Sequence, residues 1–133
     1  MFAATRSASA YRTLSIETGV LDASPHRLIE MLLDGAVESV ARARAAFGRR
    51  DLAARSLAIT RALRIVDEGL KASLDPAGGS IATNLGQLYG YITIRLSEAN
   101  HSGDDALLAE VEQLLATVRG AWQGIAHHPQ ARR

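Results

Sequence analysis

The sequence predicts an all-α protein, an antiparallel up-down-up-down four-helix bundle preceded by an N-terminal extension. Three observations carry this. Apolar residues recur at three- and four-residue steps through four long segments, the period of one helix face. Residues that start or stop helices bound each segment. Aromatics make up only 5% of the chain while alanine, leucine and arginine are abundant, which favours helix over sheet. A length of 133 residues, 47% of them hydrophobic, suits one domain with a packed core.

Residues 1–23 show no clean period. Phe2, Tyr11, Leu14, Ile16, Val20 and Leu21 are scattered among small and polar residues. A frayed tail fits, and so does a hydrophobic plug that docks Tyr11 and Ile16 on the body. The first helix is expected over about 25–48. Ser24 can cap it, and Pro25 suits the first helical position, where its missing N–H is harmless. Leu28, Ile29, Leu32, Ala36, Val40, Ala43 and Phe47 form its stripe, widened by Leu33 and Val37. Gly48 is a natural stop, and Arg49 and Arg50 lie near the negative end of the helix dipole.

Asp51 can cap the second helix, expected over about 51–74 with a stripe of Leu52, Ile59, Leu63, Val66 and Leu70. Asp75-Pro76 ends it, because the residue before proline disfavours the α region. Gly78-Gly79 turns the chain into a third helix over about 80–101. At 100° per residue, Ile81, Leu85, Leu88, Tyr89, Ile92, Leu96 and Ala99 share its core face. Asp104 can cap the fourth helix, over about 105–126, where Leu107, Leu108, Val111, Leu114, Leu115, Val118, Trp122 and Ile125 lie on one side. Residues 127–133 are expected to be a flexible tail.

Four helices of about 22 residues, each roughly 33 Å long, are joined by links short enough to force antiparallel neighbours. One end of such a bundle gathers Arg42, Arg44, Arg49, Arg50 and Arg55 with Glu98, Asp104 and Asp105. The arginines are thereby largely neutralised, which argues against nucleic-acid binding. The other end gathers Leu28, Leu70, Leu74, Ile81, Leu85, Trp122 and Ile125, where the N-terminal segment enters. The second and third helices also carry apolar residues off their core stripes. These predict an external groove lined by Leu57, Ala58, Ile65, Tyr91 and Ile94, although scattered surface apolar residues are common. Six glycines (Gly35, Gly69, Gly86, Gly90, Gly120, Gly124) fall inside the expected helices. They fit either close helix contact or a bundle soft enough to adjust.

The residues nominate no catalyst. The chain has no cysteine, and hence no disulfide or thiolate chemistry. A di-metal bundle needs two Glu-x-x-His motifs, and Glu98–His101 matches once. His26 has no second ligand at helical spacing. There is no His-Glu-x-x-His run, phosphate-binding glycine loop or G-x-S-x-G. The carboxylates fall mostly on polar faces, some at ion-pair spacing, as in Glu38 with Arg42 and Arg64 with Glu68. The N-terminus lacks a secretory signal, and no apolar run reaches the ~18 residues of a membrane span. A non-enzymatic protein that binds another chain is expected, with no cofactor, metal or membrane insertion. The alternatives are a module that acts only by self-association and a metal or redox bundle.

Several ordered blocks resemble the signature of the flagellin-export chaperone family (FliS). One runs from Ala23 to Ala36 (ASPHRLIEMLLDGA). Another is Leu70 to Asp75 (LKASLD), followed by Gly78 to Leu85 (GGSIATNL). Leu88-Tyr89-Gly90-Tyr91-Ile92, Arg95-Leu96, Ala99-Asn100 and Trp122 continue the pattern, over about residues 10–126. Gly90 departs from it, standing where the family usually carries an acidic residue. The resemblance implies a cytoplasmic chaperone that binds the disordered C-terminal segment of flagellin and prevents early polymerisation. It implies delivery of that client to the flagellar type III export gate, and a client that becomes partly helical as it wraps the bundle. It also implies that a segment containing Tyr11 covers a hydrophobic pocket, here assigned to Tyr11, Ile16, Leu85 and Trp122. Monomer and weak dimer both fit.

Overall fold

The computed structural model describes residues 24–125. They form helices α1 (Pro25–Gly48), α2 (Leu52–Arg64), α3 (Gly79–Ser102) and α4 (Asp105–Ile125), and no strand occurs among them. The all-α expectation therefore holds. The cap residues act as their chemistry suggests. Ser24 Oγ accepts from the Arg27 amide at 3.1 Å, Asp51 from Ala54 at 3.0 Å and Asp104 from Ala106 at 2.9 Å. Each satisfies an amide that a helix N-terminus leaves without a partner.

α2 is not a uniform α-helix. Beyond Arg64 it widens into a π turn, Ile65–Leu70, then tightens into a 3₁₀ turn, Lys71–Ser73. A wheel drawn at 100° per residue fails there, since a π turn shifts the register. Consecutive side chains, Ile65 and Val66, both enter the core at 1% and 0% exposure.

Side-chain contacts join the late part of one helix to the early part of another in the α1–α4 and α2–α3 pairs. Arg44, late in α1, reaches Asp105 and Glu112 of early α4 at 3.2 and 2.7 Å. Trp122, late in α4, donates from Nε1 to the carbonyl of His26 in the first turn of α1 at 3.0 Å. Arg55 of α2 donates to the Asn100 carbonyl near the end of α3 at 3.3 Å. That arginine lies over the α3–α4 turn, where Gly103 has φ +70° and a Cβ would stand 2.8 Å from Nη1. Glycine is needed there for the left-handed backbone, and a side chain would in addition push the Arg55 guanidinium aside. The left-handed residue of the α1–α2 turn is Arg50, at φ 59°, and not Gly48, which closes α1.

The core runs through all four helices, with Leu32, Val40, Ile59, Val66, Ile92, Leu96, Leu108, Val111 and Leu115 essentially sealed. Four expected stripe residues are exposed instead. Leu52 and Ile81 are 65% and 72% exposed, Ile125 47% and Phe47 36%. All four sit near helix ends, where the neighbouring helix gives out. Close helix contact does not explain Gly90, Gly120 or Gly124, because a Cβ there would meet nothing within 4 Å. At Gly86 it would reach Leu74 Cδ1 at 3.4 Å.

Tyr89 is 3% exposed, and burial pushes its phenol up from 10 to about 12. The folded state therefore holds the proton more tightly than the unfolded one. Its contribution is complete below pH 10 and is lost as pH rises towards 12. Urea unfolding across that window is expected to show a loss of about 2 kcal/mol that Tyr89→Phe removes.

Candidate functional site

Of the five residues expected to share an outer groove, the structure brings two together. Leu57 and Ala58 lie on α2 and, with Ala54 and Arg61, form one wall of a groove of about 350 Å³. The facing wall comes from α1 and the residue that caps its C-terminus: Ser39, Arg42 and Ala45, then Arg49. Leu57 is 74% exposed. The groove exists because alanines occupy the positions where α1 and α2 approach, leaving space that longer side chains would fill. A polar strut closes its inner edge. Ser39 is buried at 1% exposure and donates to the Gly35 carbonyl at 2.8 Å. Arg61 reaches across from α2 to Ser39 and, at 3.1 Å, to the same carbonyl.

The other three lie elsewhere. Ile65 is a core residue, turned inward by the π turn, and cannot line a surface groove. Tyr91 is half-buried and faces α4: its hydroxyl donates to Glu110 Oε2 at 2.7 Å and accepts from Arg95 Nε at 2.9 Å. The Arg95 guanidinium also lies 5.0 Å from the Tyr91 ring centroid and pairs with Glu98 and Glu110. Ile94 stands 59% exposed on α3. The depression between α2 and α3, where the groove was expected, is lined by Leu63, Arg64, Asp67, Glu68 and Thr93. Three of those five side chains are charged, and Arg64 and Glu68 form an ion pair at 3.1 Å. Tyr91→Phe is expected to cost about 1 kcal/mol of stability, measured by urea unfolding, because it removes one bond to Glu110 and one from Arg95.

A second cavity, of about 560 Å³, lies at the α1–α2 turn between Phe47, Gly48, Arg50, Leu52 and Arg55. The helical period assigned Phe47 and Leu52 to the core and so missed it. Arg55 sits 5.8 Å from the Phe47 ring centroid. For the expected plug, Tyr11 and Ile16 lie outside the described residues. Leu85 and Trp122 are half-buried and pack against the core. Trp122 stacks on His26 with centroids 4.6 Å apart and planes at 11°.

The arginines at the α1–α2 end divide into two groups. Arg44 is held by Asp105 and Glu112, and Arg42 by Glu38. Arg49 and Arg50 make no ion pair among the described residues. Among those residues no three His, Cys, Asp or Glu side chains cluster as metal ligands would, and no helix is long and apolar enough to cross a membrane.

Comparison with known proteins matches residues 7–129 to the family described as Flagellar protein FliS. The chain is 47% identical over 118 residues to the flagellar secretion chaperone FliS of Salmonella typhimurium, covering 88% of this chain and 87% of that one. It is 45% identical to the flagellar secretion chaperone FliSB of Pseudomonas aeruginosa, covering 88% and 93%. The FliS of Bacillus subtilis is 30% identical over 115 residues, covering 86% and 82%. These relatives are named as chaperones and not as enzymes. A helical bundle with a surface groove and this extent of identity leads to one conclusion: the chain belongs to the FliS family of flagellar secretion chaperones.

Proposed function

We propose that the chain is a cytoplasmic export chaperone whose client is the disordered C-terminal segment of flagellin. It keeps that segment from polymerising early and delivers it to the cytoplasmic part of the flagellar type III export gate. The observation that carries this reading is Leu57, 74% exposed beside a groove lined by alanines. A disordered client loses entropy when it orders, so its chaperone must offer apolar surface outside a finished core. An amphipathic helix laid between two bundle helices supplies the matching face.

Leu57 and Ala58 are the first contacts proposed. Ile94 offers exposed apolar surface on α3, and Tyr91 lies on the α3–α4 side. A client that touches all four must pass round the bundle rather than lie in one groove. The pocket proposed beneath the N-terminal segment combines Tyr11 and Ile16 with Leu85 and Trp122.

Isothermal titration of the full chain with the C-terminal segment of a flagellin from the same organism tests the reading. Tight one-to-one binding with a large negative heat-capacity change is expected, the mark of apolar burial with coupled folding. No heat at any temperature, with no shift in thermal stability, would remove the client. A concentration-dependent dimer without client binding would favour a self-association module instead.

A further inference from the structure

The α1–α2 groove is lined by alanines and cationic along its α1 rim. Ala45, Ala54 and Ala58 line both sides and Leu57 projects beside them, while Arg42 and Arg49 line the α1 side and no carboxylate is among the lining residues. Arg49 makes no ion pair among the described residues. Arg42 meets Glu38 one turn away on its own helix, with the two side chains 61% and 55% exposed. Such an exposed pair contributes little and exchanges readily for another carboxylate. Arg49 caps the C-terminus of α1 in helical conformation, seven residues beyond Arg42, about two turns and 10 Å further along the same side.

Taking the flagellin-client reading as given, we infer that this groove selects a client helix whose apolar ridge is flanked by carboxylates about two turns apart. One meets Arg42 and the other Arg49. An alanine lining by itself accepts any amphipathic helix in several registers. Two fixed cations at a helical repeat favour one register and disfavour a helix with lysines at those positions. The groove would then read charge as well as hydrophobicity, and binding there would weaken with salt.

The test is titration of the full chain with the flagellin C-terminal segment at about 50 and about 500 mM salt. Wild-type binding is expected to weaken several-fold at high salt. The double variant Arg42→Gln/Arg49→Gln is expected to bind roughly tenfold more weakly at low salt and to lose most of the salt dependence. Arg42→Glu/Arg49→Glu is expected to weaken it further, with recovery when the matching carboxylates of the segment are replaced by lysine. Both arginines are on the surface, so thermal unfolding should match wild type. If wild type binds and the double variants keep its affinity and salt dependence, the charge reading is overturned while the client stands. A segment that binds equally well without such a carboxylate pair also overturns it. If wild type does not bind at all, the client reading fails and the charge reading fails with it.

Discussion

Leu57→Glu is expected to leave the bundle folded and to weaken client binding about thirtyfold, whereas Ile65→Ala is expected to destabilise the fold by about 2–4 kcal/mol. The two residues sit eight positions apart on one helical stretch, and periodicity treats them alike. Their surroundings differ completely. Leu57 is 74% exposed and Ile65 is 1% exposed. Glutamate at position 57 keeps its solvation, so the stability change should fall within about 0.5 kcal/mol. The same carboxylate would spoil the apolar ridge at its most projecting point. Truncating Ile65 leaves a cavity between the π turn and the core, which the packed helices cannot fully close. Urea unfolding followed by circular dichroism, with titration of the client segment, reads both effects. A Leu57→Glu variant that binds normally would move the client off this groove. An Ile65→Ala variant as stable as wild type would contradict the burial of the π turn.

Trp122→Ala is expected to cost about 3 kcal/mol, at the low end for a large aromatic because the side chain is half-buried. Three interactions go with it: packing against the core, the 4.6 Å stack on His26 and the 3.0 Å hydrogen bond to the His26 carbonyl. Trp122→Phe keeps an aromatic face and loses the N–H, so it is expected to cost about 1 kcal/mol beyond the change in size. The contact matters because of its position. It ties the last turns of α4 to the first turn of α1, the end at which the described chain begins. For a chain of 133 residues the alanine variant should melt roughly 10 °C lower. Trp122 is the sole tryptophan, so unfolding of the alanine variant must be followed by circular dichroism. A change below about 1 kcal/mol would show that this end does not depend on the clasp.

Both predictions turn on positions where neighbouring helices, rather than local pattern, decide the outcome. The helical class, the four helical segments and the three acidic or hydroxyl caps were legible in the sequence because they are local. A stripe at 3.6-residue spacing and an Asp or Ser before it act within one or two turns. The ion pairs Glu38–Arg42 and Arg64–Glu68 were legible for the same reason. The family was legible too, since its pattern is an ordered set of short blocks.

The groove was not. Helical projection marked Leu57, Ala58, Ile65, Tyr91 and Ile94 as lying off the core stripes, which is a statement about each helix alone. Which of them share a surface depends on the helix that packs beside each one. α1 with its alanines lies against Leu57 and Ala58, α4 supplies Glu110 to Tyr91, and charged side chains fill the α2–α3 depression. Ile65 was misplaced for a separate reason, because its π turn abandons the fixed 100° rotation that the projection assumes. Leu52 and Ile81 obeyed the period but sit near helix ends, with too little neighbouring chain to cover them. The sequence by itself thus determined the elements, their caps and the family, which follow from near-neighbour chemistry and ordered motif blocks. Only the tertiary structure decided which exposed apolar residues meet in one groove and which charges rim it, because those depend on contacts between residues distant in the chain.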